Sequence, residues 1–323
     1  MHTLKWFLWP FSLLYLLITE CRNFLFDQGF LSSHKADIKT LVIGNLAIGG
    51  SGKTPLTIWF IQEMMKENQI AVLSRGYGRK TQGFRWVTEA SHFHEVGDEP
   101  LMIKIKYPKI PVAVCEDRIF GVIKIKEKNP QVAWVILDDG FQHRKLKPTF
   151  SVIASDYSKP FFKDNLLPFG RLRESRWQIK RANAIVFTKC PPKHNKFHGM
   201  EVPSYYSAIN YQEYDWVKGE KPKEDKHTII LSGIALPSSF SNEVLNDFPM
   251  AKRYPFRDHY TFKQKDLDKI SVDKAGSTLI TTEKDWVRLK GLDLSRFENG
   301  AYLPIKLIMR NNDLINQIQN FNG

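Results

Sequence analysis

The sequence predicts an α/β fold: a P-loop, doubly wound, mostly parallel sheet domain with a second, smaller α/β domain and an N-terminal interfacial helix. Three observations carry this prediction. From residue 37 onward, nearly continuous apolar runs of strand length alternate with helix-like stretches. One run, Thr40-Leu41-Val42-Ile43, leads into the glycine-rich segment Gly44–Pro55 and then the helix-like Leu56–Lys66. A second strand–loop–helix series opens near residue 227, after the pattern breaks. Apolar runs without polar alternation are strands covered on both faces, as in a parallel sheet flanked by helices.

The first element is Trp6–Ile18, almost wholly apolar and flanked by Lys5 and Arg22. It is shorter than the ~20 residues that span a bilayer. Its two Trp, two Phe and one Tyr suit the membrane–water boundary, and Arg22-Asn23-Phe24-Leu25-Phe26 continues it in amphipathic style. Residues 1–28 are therefore expected to form an interfacial helix. The alternatives are a helix packed into the protein's own core and a secretory signal; against the signal, no small-x-small cleavage site follows.

Residues 29–200 are expected to form the first α/β domain. Strands are predicted at Ile70–Leu73, Pro111–Val114, Val132–Leu137, Phe150–Ala154 and Ala184–Phe187, with a helix at Ile119–Lys126. Pro191-Pro192 and the Lys/Glu/Pro segment 218–226 read as connection, and residues 201–226 as a linker of two extended strands. Residues 227–323 are expected to form the smaller domain, with strands at Thr228–Ser232, Thr278–Thr281 and Ile305–Leu307.

The net charge of +13 favours an anionic partner: a phosphorylated substrate, anionic lipid or nucleic acid. The three cysteines, Cys21, Cys115 and Cys190, form neither a disulfide framework nor a zinc spacing, which fits a reducing cytosolic setting. Cys190 with His194, and His92 with His94, read as surface or loop residues rather than metal ligands.

Chemistry concentrates first in the glycine loop. Strand, Gly49-Gly50-Ser51-Gly52, Lys53-Thr54-Pro55 and helix form the layout of a phosphate-binding loop. Glycines let successive backbone N–H groups converge on phosphate oxygens at a helix N-terminus. Lys53 would neutralise the β- and γ-phosphates and the Thr54 hydroxyl would hold Mg²⁺. The usual motif has a further glycine where this chain has Ala47. At the end of an apolar strand, Asp138 and Asp139 stand where such proteins place a Mg²⁺-organising carboxylate. Gly97-Asp98-Glu99-Pro100 is a second acidic loop, and Asp258-His259-Tyr260 supplies a histidine from the other domain. A carboxylate oriented by histidine can take the proton of an attacking alcohol, if domain closure brings the two together.

These segments, in order, resemble the tetraacyldisaccharide 4'-kinase family, the lipid A 4'-kinases of Gram-negative bacteria. The resemblance also rests on Leu73-Ser74-Arg75-Gly76-Tyr77-Gly78-Arg79, Cys115-Glu116-Asp117-Arg118, Leu137–His143, Leu167-Pro168-Phe169-Gly170 with Leu172-Arg173-Glu174, Phe256–Tyr260 and Thr281-Thr282-Glu283-Lys284-Asp285. It implies transfer of the ATP γ-phosphate to the 4'-hydroxyl of tetraacyldisaccharide 1-phosphate, with Mg²⁺, at the cytosolic face of the inner membrane. It implies nucleotide contacts from Ile48 to Pro55, metal contacts from Thr54, Glu99, Asp138 and Asp139, and a base-like Asp98 assisted by His259. Arg75, Arg118, Gln142, His143, Arg171 and Arg173 become candidate contacts to phosphate or sugar. The loop carrying Ala47 resembles the family's own departure from the common spacing. The partner implied is an anionic glycolipid held in the membrane, with neither nucleic acid nor an obligate protein partner. Two other readings of the same residues stay open: a membrane-associated P-loop NTPase switch that uses only water, and a small-molecule kinase whose N-terminal helix is merely structural.

Overall fold

The computed structural model describes residues 7–222, 227–271, 277–311 and 313–321. Two sheets organise them. Across the larger, nine-stranded sheet the order is Ile305–Met309, Ser204–Tyr211, Ala184–Thr188, Phe150–Asp156, Lys39–Gly44, Trp134–Asp138, Ile70–Ser74, Val112–Val114 and Arg85–Trp86. All neighbours are parallel except the pairs at the two edges. The central strands are buried at every position except Lys39, which explains why they read as unbroken apolar runs. Helix Lys53–Met64 packs on one face with Leu56, Phe60 and Ile61 fully buried; it starts at Lys53, three residues before the expected Leu56. The helix expected at Ile119–Lys126 runs Arg118–Lys128, its N-terminus capped by the Asp117 carboxylate.

The smaller sheet has the order Asp215–Lys218, Phe297–Leu303, Ser277–Thr282, Thr228–Ser232 and Lys252–Pro255, parallel except at its first pair. The expected boundaries need two corrections. The segment 201–226 is not a linker: Ser204–Tyr211 belongs to the larger sheet and Asp215–Lys218 to the smaller. The smaller unit also does not extend to residue 323. Strand Ile305–Met309 and helix Asp313–Gln319 return to the larger unit, where Leu307, Met309, Leu314 and Ile318 join its core. The reason is a pairing that is remote in sequence. Ser204–Tyr211 is antiparallel to Ile305–Met309, and the same two chains continue as the antiparallel pair Asp215–Lys218 and Phe297–Leu303. Between the sheets, the Gln212 N–H donates to the Pro304 carbonyl at 2.9 Å. One two-stranded ribbon thus crosses between the units.

The N-terminal helix, Trp9–Asp27, reverses the usual arrangement of a surface helix. Its polar groups face the protein: Ser12 Oγ meets the Leu166 carbonyl, the Tyr15 hydroxyl donates to the Arg173 carbonyl at 2.8 Å, and Glu20 accepts from Gln178. Arg144 reaches the Asn23 carbonyl and Asp27. Trp9, Phe11, Leu14, Leu17, Ile18 and Phe24 all face outward, each more than half exposed. The helix is therefore not packed into the protein's own core. Among the described residues, no helix is long and apolar enough to cross a membrane.

Phe150 lies in the middle of the larger core, fully buried, with the Phe321 ring edge-on at 5.2 Å. Phe150→Ala is expected to lower unfolding free energy by about 3–5 kcal/mol, read from urea denaturation.

Candidate active site

The phosphate loop is shaped by close backbone approaches. Strand Lys39–Gly44 ends on a glycine because a Cβ there would lie 2.4 Å from Phe141 Cβ. Asn45 braces the loop from inside, its Nδ2 donating to the Ala47 carbonyl and to Ser51 Oγ. The Ile48 N–H donates to the Arg171 carbonyl at 2.8 Å. Gly52 has φ +79°, and a Cβ on it would meet Thr188 Oγ1 at 2.8 Å. The Thr188 hydroxyl itself donates to the Ser51 carbonyl at 2.8 Å, and the Lys189 ammonium reaches the Gly50 carbonyl. Lys53, Thr54 and Pro55 form the first turn of the helix that follows, leaving free N–H groups at the loop.

Beside the loop sits an acidic cluster. Lys53 Nζ is 3.6 Å from Asp139 Oδ1, and Arg173 reaches both Asp139 oxygens at 3.2 Å. The Thr54 hydroxyl donates to Glu99 Oε1 at 3.0 Å, and the Thr57 hydroxyl to Asp138 Oδ1 at 3.1 Å. Burial, with the Glu99 and Asp139 carboxylates close by, pushes Asp138 up to about 7. Burial also acts against Asp139, yet Lys53 and Arg173 hold it below the usual carboxylate range. The Thr54 hydroxyl and the nearby carboxylates are hard oxygen donors, the chemistry that suits Mg²⁺. Among the described residues, no three His, Cys, Asp or Glu side chains form a metal cage by themselves. A Mg²⁺ here would draw its remaining ligands from phosphate and water, as that ion commonly does.

The two units meet at Asp98. Gly97, with φ +89°, turns the chain into helix Asp98–Lys106 and buries the carboxylate. Asp98 Oδ1 accepts the Glu99 N–H at 2.8 Å. Oδ2 receives Arg288 Nε at 2.8 Å, a second Arg288 nitrogen, and His259 Nδ1 at 3.0 Å. The Lys284 ammonium lies 2.9 Å from Glu99, 3.3 Å from His259 Nε2 and 3.9 Å from Asp98. This pattern selects the histidine tautomer: Nδ1–H donates to Asp98, and the Nε2 lone pair faces Lys284. Burial opposes the charge on Asp98, but Lys284, the His259 hydrogen bond and Arg288 hold its carboxyl well below the usual range. Glu99 is likewise held low by Lys284 against its burial. His259 has φ +55°; its own N–H donates to the Gly233 carbonyl at 3.1 Å, and Tyr77 packs edge-on against its ring.

The candidate contacts for an acceptor divide. Arg173 and Gln142 join the Asp139 cluster, Gln142 Oε1 lying 3.4 Å from the Arg173 guanidinium. Arg118 is buried behind it, bonded to the Cys115 and Glu116 carbonyls. Burial and then Arg118 push His143 down to about 4, and its buried Nε2 has no hydrogen-bond partner among the described residues. Arg75 is exposed. The structure does not bring the Arg171 guanidinium into the cluster; it pairs with Asp164 at 2.6 Å, and only its carbonyl supports the phosphate loop. Cys190 lies in the loop that follows Ala184–Thr188 and is buried there.

Four side chains here carry no role in the sequence reading: Thr57, Lys284, Asp285 and Arg288. Asp285 and Arg288 are fully buried partners one turn apart, at 2.7 Å, and both also bind the Gly233 backbone. The signal available for them is Asp285 and Arg288 at i, i+3 right after the strand ending at Thr282, the spacing of one helix face.

Comparison with known proteins follows this geometry. A family model described as tetraacyldisaccharide-1-P 4'-kinase (LpxK) matches residues 4–322. The tetraacyldisaccharide 4'-kinase of Flavobacterium johnsoniae is 37% identical, over 99% of this chain and 96% of that protein. The same enzyme of Cytophaga hutchinsonii is 37% identical, over 94% of this chain and 91% of its own length. Among solved structures, LpxK from Aquifex aeolicus, crystallised with ATP, is similar with a TM-score of 0.79, 30% identity and 98% coverage of both chains.

The raised Asp138 makes a stability prediction. Its folded form keeps a proton that the unfolded chain releases near 3.8, so stability is lost as pH rises from about 4 to about 7. With a chelator present, Asp138→Asn is expected to raise the melting temperature at pH 8 and to leave it nearly unchanged at pH 4. The gain corresponds to at most about 4 kcal/mol. Equal shifts at both pH values would contradict the assignment.

Proposed function

Because the chain belongs to the tetraacyldisaccharide-1-P 4'-kinase family, it is an ATP-dependent kinase of lipid A biosynthesis that phosphorylates the 4'-hydroxyl of tetraacyldisaccharide 1-phosphate, and we propose how its residues perform that transfer. The observation that carries the reading is the convergence of Lys53 and Thr54 with Asp98 and His259, the last pair 161 residues apart in sequence yet 3.0 Å apart in space.

The loop from Ile48 to Pro55 holds the nucleotide phosphates, and Lys53 turns from Asp139 toward them. Thr54, Asp138, Asp139 and Glu99 would hold Mg²⁺, which neutralises phosphate charge when bound. The 4'-oxygen bonds to the γ-phosphorus, the bond to the β–γ bridging oxygen breaks, and ADP leaves. The hydroxyl proton passes to the Asp98–His259 pair. A loose phosphoryl-transfer transition state asks little base strength, so a carboxylate held as low as Asp98 suffices to orient and receive it. Arg173, Gln142, Arg118, His143 and Arg75 line the acceptor side. Arg171 acts through its backbone support of the loop.

The N-terminal helix lies on the cytosolic face of the inner membrane, outward apolar face down, and keeps the acyl chains of the acceptor in reach. Its aromatic residues suit that boundary. Each Lys or Arg near an anionic surface adds about 1 kcal/mol of attraction, which fits the +13 charge.

Transfer of labelled γ-phosphate from ATP to the purified lipid in micelles, with and without Mg²⁺, tests this directly; a labelled lipid that needs Mg²⁺ is expected. Asp98→Asn is expected to lower kcat by about 10²-fold with the ATP KM nearly unchanged. Near-normal turnover in that variant would remove Asp98 from the proton path. Removing residues 1–28 is expected to abolish sedimentation with anionic vesicles, and retained sedimentation would place the membrane contact elsewhere.

A further inference from the structure

We infer that a cavity between the two units, beside the ribbon that joins them and apart from the Asp98 cluster, is a binding site for a small amine with an aromatic body, its ammonium paired with Asp215.

The cavity encloses about 610 Å³. That lies within the roughly 300–1,000 Å³ of small-molecule sites, which favour junctions of this kind. Helix spacing explains why it neighbours the Asp98 cluster without being part of it. On helix Glu283–Leu289, Lys284, Asp285 and Arg288 belong to the cluster, while Glu283, Trp286 and Val287 line the cavity. Helix Asp98–Lys106 gives Asp98 to the cluster from its first residue and Met102, Ile105 and Lys106 to the cavity from its second half. Leu292 and Leu294 add to the smaller unit's wall, and Asp215, Tyr302 and Pro304 close the side toward the ribbon.

The walls set the body of the ligand. They are chiefly aliphatic, with the Trp286 and Tyr302 rings 6.2 Å apart between centroids and inclined at 44°. Such walls favour a carbon body over a hydrated ion. Charge sets the head group. Four charged side chains line the cavity: Lys106, Glu283, Lys290 and Asp215. Two of them cancel, because the Lys106 ammonium binds both Glu283 oxygens, at 2.7 and 2.9 Å. The Lys290 ammonium is held by the Glu89 carbonyl, which is not part of the lining. Asp215 remains. Its Oδ2 accepts the Tyr302 hydroxyl, and among the described residues its Oδ1 has no hydrogen-bond partner and no Lys or Arg pairs with it. Burial, and then Asp215 itself, push the Tyr302 hydroxyl up, so the phenol stays a neutral donor and leaves the carboxylate's charge uncancelled. The aromatic faces beside Asp215 attract the same sign of charge. Cation and aromatic body thus find their partners on adjoining walls.

Three probes with one body and different heads test this: phenylbutylamine, phenylbutanol and phenylbutyrate, titrated calorimetrically into the full-length protein near neutral pH. The amine is expected to bind about 10-fold more tightly than the alcohol, and the carboxylate more weakly than either. Asp215→Asn, which can still accept the Tyr302 hydroxyl, is expected to bring the amine down to the affinity of the alcohol. Ile105→Trp adds bulk at the cavity wall from a helix position that is already exposed, and is expected to abolish binding of the amine and the alcohol. Both variants change exposed side chains, so both are expected to melt close to the wild type. No binding of any probe, or an amine no tighter than the carboxylate, would overturn the inference. So would amine binding that survives both substitutions, since the amine would then sit elsewhere.

Discussion

The buried charge on Asp98 is the constraint around which the site is built. Burying an isolated carboxylate costs several kcal/mol, and here one unit supplies the anion while the other supplies the compensation. Arg288, Lys284 and His259 all come from the smaller unit, and Arg288 is in turn held by Asp285 and the Gly233 carbonyl. Neither half is satisfied alone. The geometry of the candidate site and the docking of the two units are thus one electrostatic arrangement. Glu99 extends it to Thr54 and so to the phosphate loop.

A second, opposite imbalance lies a few ångströms away. Asp138 is buried beside Glu99 and Asp139, while Lys53, Arg173 and Lys284 are engaged by those two neighbours, and its carboxyl is pushed up to about 7. The site thus separates two kinds of acid. One carboxylate is over-compensated by protein cations and held below the usual carboxylate range. The other is under-compensated by the protein's own cations and held above that range. Both are buried, so polarity alone does not distinguish them; their neighbours do.

Much of this was legible in the sequence because it is local. The phosphate loop, Asp138-Asp139 and Gly97-Asp98-Glu99 each sit at the end of one strand or the start of one helix, where glycine and acidic residues stand out against apolar runs. What was not legible depends on pairings remote in sequence. Strand Ile305–Met309 reads like any other strand of the smaller unit, and only its antiparallel register with Ser204–Tyr211 assigns it to the larger. Lys284 enters the sequence reading only inside a motif and Arg288 not at all, because the carboxylate they meet, Asp98, lies 186 and 190 residues upstream. The outward face of the N-terminal helix was readable from its aromatic content, but the inward role of Tyr15 and Ser12 was not, because their partners lie more than 150 residues away.

The ribbon that links the two sheets has a mechanical consequence. Two antiparallel strands remain in register on both sides of the crossing, with Tyr211 opposite Ile305 and Asp215 opposite Tyr302. A single-chain tether would permit swivelling about any direction. A pair of chains joined by the Gln212–Pro304 hydrogen bond bends across its flat face and resists both twisting and shear. The smaller unit is therefore oriented by two chains rather than one, and Val287 packed into the larger unit's core with Lys106 bound to Glu283 at 2.7 Å fixes it further. His259, Lys284 and Arg288 are thereby presented together to one carboxylate, in an orientation the backbone has already set.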